Sequence, residues 1–239
     1  MQKVLSTMRK AIQKYNLIQN GDKIAVGVSG GKDSLVLLKA LKDFQRFGLY
    51  NYDIVAVTID IYSGDADYSG LQKFCADLDV PLHIEKTDIK QIVFDIRKEK
   101  NPCSLCAKMR RGILNSICKQ LGCNKLALAH HLQDVVTTFY MSLFYEGRLA
   151  TMLPMSYMSN SEITLIRPLY LTHESTIIHA SKDFPILKSK CPADKNSKRK
   201  DTKDLICQLN QKIPDLIKRS EHAILSPESY NLLDKNKKF

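Results

Sequence analysis

The sequence has no continuous apolar stretch near the roughly 20 residues that cross a bilayer, which argues against a helical membrane span. Residues 1–20 mix lysines with isolated apolar positions, so nothing there reads as a secretory signal. No internal repeat is present. Acidic residues are scarce, 25 against 36 basic, and the net charge is +11. Such a deficit favours polyanionic partners, nucleic acid first, with a lysine-decorated surface as the plainer alternative. The seven cysteines are odd in number and sit in a 239-residue chain rather than a small secreted scaffold, which argues against a disulfide framework. With 44% hydrophobic and 26% charged residues, a sizeable core is within reach. A soluble, cytoplasmic protein with no membrane partner is expected.

Periodicity predicts the order of elements. Residues 4–17 carry apolar side chains at helical spacing and stop at Asn20-Gly21-Asp22. Residues 23–28 form an apolar run too short for a helix and suited to a buried parallel strand. Helix follows over 33–44, then strand over 52–59, helix over 68–78, strand over 81–86 and helix over 88–98. A loop is expected around Cys103. Helix 109–121, strand 125–129, helix 133–145 and strand 163–167 come next, and 205–217 suits one more helix. Strands alternating with helices predict an α/β fold, a doubly wound parallel sheet with ligands beyond the carboxyl ends of its strands. Three segments divide the chain: an N-terminal helix over 1–22, the α/β domain over 23–187, and a short, helical, basic C-terminal extension over 188–239.

The turn Ser29-Gly30-Gly31-Lys32-Asp33-Ser34 joins the first such strand to a helix. Two glycines let the backbone turn tightly and approach a ligand, and the helix start directs free N–H groups at whatever occupies the turn. Hydroxyls at both ends and the Lys32 ammonium complete a phosphate cradle. A ligand-free strand-to-helix turn is the plainer alternative. The spacing is neither Walker A nor G-x-G-x-x-G. Cys103 and Cys106 form a C-x-x-C pair, readable from spacing alone as metal ligands or as two packed thiols. Cys75, Cys118, Cys123 and Cys207 fall within apolar patterns and read as core filler.

The motif S-G-G-x-D-S resembles the signature of the PP-loop ATP pyrophosphatases, whose adenine nucleotide α-hydrolase-like fold is the sheet inferred above. Cys103-Ser104-Leu105-Cys106 followed by Arg110-Arg111-Gly112-Ile113-Leu114 is similar to a segment of the tRNA 2-thiocytidine synthetase family. Ala129-His130-His131, Asp134, Phe144-Tyr145-Glu146-Gly147, Ile166-Arg167-Pro168-Leu169 and Phe184-Pro185-Ile186 follow in family order, so the likeness spans about residues 1–220. The resemblance implies an ATP-dependent enzyme that adenylates O2 of a tRNA pyrimidine, cytidine foremost, and replaces it with sulfur. It implies ATP held by Ser29, Gly30, Gly31, Lys32, Asp33, Ser34, Ile59, Asp60, Ala129 and His130. It also implies Mg²⁺ positioned by Asp33, and a [4Fe-4S] cluster on Cys103, Cys106 and Cys191 with one iron open to sulfur. Lys32, Asp33, Asp134 and Arg110 are the catalytic candidates. The implied partners are tRNA, a sulfur donor (a cysteine desulfurase or free sulfide) and a second copy of the chain in a homodimer.

The sequence departs from the family pattern at Gln133, where an aspartate is usual, which would shift Mg²⁺ binding toward Asp33, Asp60 and Asp134. It also has a single cysteine, Cys191, where many members have a second C-x-x-C. Two other readings stay open: a lysidine-synthetase type of ligase, which needs no cysteine triad, and a non-catalytic nucleic-acid-binding protein with structural zinc. The lysines and Arg199 that follow Cys191 suit either a tRNA contact or a solvated surface.

Overall fold

Short apolar runs that bury both faces build the sheet of this protein, here described from a computed structural model over residues 1–62, 64, 66–97, 102–187 and 197–226. The strands are β1 (Asp22–Gly27), β2 (Tyr52–Asp60), β3 (Leu82–Lys86), β4 (Lys125–Ala127), β5 (Met155–Met158) and β6 (Ile163–Ile166). Their order is β3-β2-β1-β4-β6-β5, and only the edge strand β5 runs antiparallel to its neighbour. The helices are α1 (Gln2–Tyr15), α2 (Lys32–Gln45), α3 (Ser69–Asp77), α4 (Pro102–Gln120), α5 (Leu132–Glu146), α6 (Glu174–Ala180), α7 (Lys198–Lys212) and α8 (Leu216–Leu225). The expected doubly wound α/β architecture is observed. Among the described residues no helix is long and apolar enough to cross a membrane.

The chain divides into two compact units. The first takes the described residues of Met1–His131 and Leu153–Asp194, and the second those of Leu132–Met152 and Lys195–Phe239. In the first unit the period-two alternation of the strands feeds two cores. Ile24 and Val26 of β1, with Ile54 and Ala56 of β2, join Met8, Ile12, Leu38 and Leu71 on one face. Ala25, Val55 and Val57 join Ile117 and Cys118 of α4 on the other. In this unit α1 is integral to the first core: Val4, Met8, Ala11 and Ile12 are fully buried.

The chain order sets where a ligand belongs. From β1 the chain proceeds to β2 and β3 on one side, then returns to β4 on the other side of β1. The crevice between the carboxyl ends of β1 and β4 is therefore the topological switch point, where α/β sheets bind ligands. The second unit is helical. There α5 packs with α7 and α8, tied by Tyr140 Oη to Ser220 Oγ at 2.8 Å.

Four local expectations need correction. The segment around Cys103 is the first turn of α4, not a loop, because Pro102 is well suited to a helix start, where its missing N–H costs nothing. The short helix expected over 88–98 is π-helical over Gln91–Ile96. Strand β5 and helix α6 were not expected, being four and seven residues long. Cys207 is exposed on α7 rather than core filler, whereas Cys75, Cys118 and Cys123 are buried.

Candidate active site

The turn after β1 is built by its own serines. Ser34 is buried at the start of α2, and its hydroxyl donates to Gly31 O at 2.9 Å and accepts from Ser29 N at 3.2 Å. The hydroxyls of Ser29 and Ser34 lie 3.3 Å apart. Gly30 has φ +78°, a left-handed conformation that favours glycine. A Cβ there would also meet the Leu187 side chain at 2.5 Å, since Leu187 N donates to Gly30 O at 2.9 Å. Glycine is thus required at this position on two counts.

At the end of the turn Lys32 Nζ donates to Asp33 Oδ1 at 2.8 Å and to Glu174 Oε1 at 3.0 Å. His131, buried after β4, brings Nε2 to 3.8 Å from the Asp33 carboxylate and 3.9 Å from that of Glu174. Partial burial pulls the Lys32 ammonium down, but Asp33 and Glu174 outweigh it and hold the group above its ordinary pKa. Lys32 and Asp33 were expected here, whereas Glu174 and the His131 contact were not. Of the histidine pair, His130 turns instead to Arg167, whose Nε lies 3.2 Å from its Nδ1. Burial and the charge of Arg111 lower the Arg167 guanidinium from its usual value, Tyr170 opposing them. Ala129 directly precedes the pair.

A cleft of about 570 Å³ opens beside the turn. Ser29 and Gly31 line it from the turn, and Ile59 and Tyr62 from the end of β2. Cys103, Cys106 and Arg110 line it from α4. The spacing i, i+3, i+7 puts those three on one helical face, so the cysteine motif and the arginine are read by the same space. Tyr68 and Phe94 add aromatic walls. Burial and the Asp60 carboxylate push the Tyr68 hydroxyl up to about 12, so it stays a neutral donor at physiological pH. Asp60 itself is buried, and its two oxygens accept from Tyr62 N at 2.8 Å and Gly64 N at 2.9 Å. It shapes the turn that presents Ile59 and Tyr62.

Asp134 belongs to the helical unit, where its Oδ1 accepts from Arg199 Nη2 at 2.7 Å. Beside it Gln133 Nε2 donates to Glu221 Oε1 at 3.3 Å, and Glu221 is buried. Cys191 lies outside the described residues. Among the described residues no group of three or more His, Cys, Asp or Glu side chains is arranged to hold a metal.

A family model described as a PP-loop domain matches residues 2–186. The tRNA-cytidine(32) 2-sulfurtransferase of Geobacter sulfurreducens is 37% identical over 239 residues, covering 97% of this chain and 92% of its own. The chain belongs to the PP-loop tRNA 2-sulfurtransferase family. The enzyme of the same name from Pelobacter propionicus is 35% identical over 94% of this chain and 86% of its own. Among solved structures, the U34-tRNA thiolase NcsA from Methanococcus maripaludis, with its [4Fe-4S] cluster, superposes with a TM-score of 0.73 at 25% identity. That match covers 98% of this chain and 81% of NcsA. Membership gives the glycine turn and the C-x-x-C pair a common setting.

Proposed function

We propose that this protein uses ATP to activate O2 of a tRNA pyrimidine, cytidine foremost, and replaces that oxygen with sulfur. The observation that carries the reading is the single cleft shared by the phosphate turn and the Cys103–Cys106–Arg110 face of α4. The turn supplies backbone N–H groups, two hydroxyls and an ammonium for the phosphates of ATP. Attack of O2 on the α-phosphorus forms the new P–O bond and releases pyrophosphate. The base then carries AMP on its former oxygen, and sulfur bonding to C2 expels AMP with that oxygen. Activation is needed because the unactivated oxygen is a poor leaving group. Arg110, on the cleft wall, is placed to neutralise charge that develops on phosphate during the first step.

The thiols fit an iron–sulfur cluster better than core filling, since Cys103 is exposed and Cys106 half-buried while both line the cleft. Cys191 is the third ligand of this reading; three residues separate it from Leu187 in sequence, so four Cα-to-Cα steps reach at most about 14 Å. A cluster bound there would supply an open iron position for the incoming sulfur. Mg²⁺ commonly needs only one or two carboxylates besides substrate phosphates, and Asp33 is the carboxylate that this reading assigns to it. Lysines and arginines of α7 and α8, among them Lys200, Lys203 and Arg219, suit contacts to tRNA phosphates. The lysidine-synthetase alternative leaves the cleft-lining Cys103 and Cys106 without a task.

The test is tRNA-dependent conversion of ATP to AMP by anaerobically purified protein. Lys32→Ala is expected to lower the rate by about a thousandfold. An unchanged rate would remove the turn from the mechanism.

A further inference from the structure

The S-G-G-x-D-S motif names Asp33, leaves Lys32 at its variable position, and has no residue for the second acceptor on the lysine. That acceptor is Glu174, the first residue of α6, 142 positions away in the chain. We propose that Glu174 is a positioning residue for Lys32, fixing the ammonium at the phosphate turn together with Asp33. This deepens the reading of the turn as the ATP site and rests on it.

The geometry supplies the reason. A lysine side chain is a flexible four-carbon stem ending in a point charge, and it has no fixed direction unless its N–H groups are claimed. Asp33 lies on the same helix turn and moves with Lys32, so it gives the ammonium a partner without tying it to anything outside α2. Glu174 comes from a different element and provides that outside tie, at 3.0 Å. Its own position is secured away from the site. Ile177 of α6 is fully buried in the core that includes Leu35 and Leu38 of α2. Thr172, just before α6, is buried with its Oγ1 2.7 Å from Thr7 Oγ1 of α1. Helix α6 is therefore a rigid mount that carries one carboxylate to the beginning of α2.

The arrangement also has an electrostatic consequence. Two carboxylates surround one ammonium, so incoming phosphates must compete with Glu174 for Lys32. Removing Glu174 lowers that competition and frees the lysine to wander. Ground-state ATP binding should then hold or tighten slightly, while the chemical step loses its oriented charge. A purely structural loss at α6 would weaken ATP binding as well.

Glu174→Ala is expected to lower kcat for tRNA-dependent AMP formation about tenfold, with the KM for ATP changing less than about threefold. Glu174→Gln keeps an acceptor oxygen at similar reach and should return kcat to within about threefold of the parent. A second readout does not depend on turnover. Lys32 acylation by an amine reagent, followed by mass spectrometry, should be several-fold faster in Glu174→Ala, because one anion that retains its proton is gone. Equal Lys32 labelling in parent and Glu174→Ala would overturn the proposal, as would a rise in KM without a fall in kcat. Absence of AMP formation by the parent protein would instead count against the ATP reading, leaving the labelling result to judge Glu174.

Discussion

Asp33 and Asp134 entered as two carboxylates for one metal, yet each is employed differently in its own unit. Asp33 shares the Lys32 ammonium with Glu174, and its side chain and that of Lys32 keep about a third of their surface open, 34% and 28%. Asp134 accepts from Arg199 of α7, with 15% of its side chain exposed, and thereby helps join two helices. The neighbouring Gln133 is likewise engaged between helices, donating to buried Glu221 of α8. The difference teaches that a carboxylate in a family motif is not identified as a metal ligand by sequence position alone. Its partners decide what charge it has left to offer. The departure at Gln133 also acquires a local reason: an aspartate there would face Glu221 with a like charge, where the amide instead donates a hydrogen bond.

Two changes separate these regions, one in each. Gly30→Ala acts on the phosphate turn through both the left-handed φ and the Leu187 contact, a strain of about 2–4 kcal/mol. ATP affinity should fall at least about tenfold, measured by calorimetric titration, and unchanged affinity would mean that the turn tolerates a Cβ and is not a close-fitting cradle. Gln133→Asp acts on the helical unit, replacing a hydrogen bond with a like-charge pair, and should cost about 1 kcal/mol in denaturant unfolding. Adding Glu221→Gln should restore most of that loss. Failure of the second change to rescue the first would break the assignment of Gln133 to helix pairing.

The parts readable in the sequence were those whose cause is local. Residues 23–28 announce β1 because both faces of a central parallel strand are apolar, and Gly30 and Gly31 announce the turn because backbone conformation depends on adjacent residues. Strand β5 gave little signal: four residues long, at the sheet edge, it leaves Met155 and Tyr157 exposed. The segment at Cys103 was expected as a loop, but the proline at 102 suits the first turn of a helix. Buried Cys75 and Cys118, whose thiols burial pushes up to about 11 and about 12, followed from apolar spacing. Exposed Cys207 did not follow, since its helix lacks a wholly buried face. Glu174 could not be assigned to Lys32 from sequence, nor His131 to the carboxylates of Asp33 and Glu174, because only the docking of α6 and the return of β4 beside β1 bring them there.

The central claim is that the phosphate turn and the cysteine face serve one reaction on tRNA. Mass spectrometry of tRNA nucleosides tests it most directly, in cells lacking this gene and in the same cells carrying the parent, Lys32→Ala or Cys103→Ser forms. The account predicts that one thiolated pyrimidine nucleoside disappears with the gene, returns with the parent, and returns with neither variant. A thiolated nucleoside profile unchanged by loss of the gene, or restored in full by either variant, would contradict it.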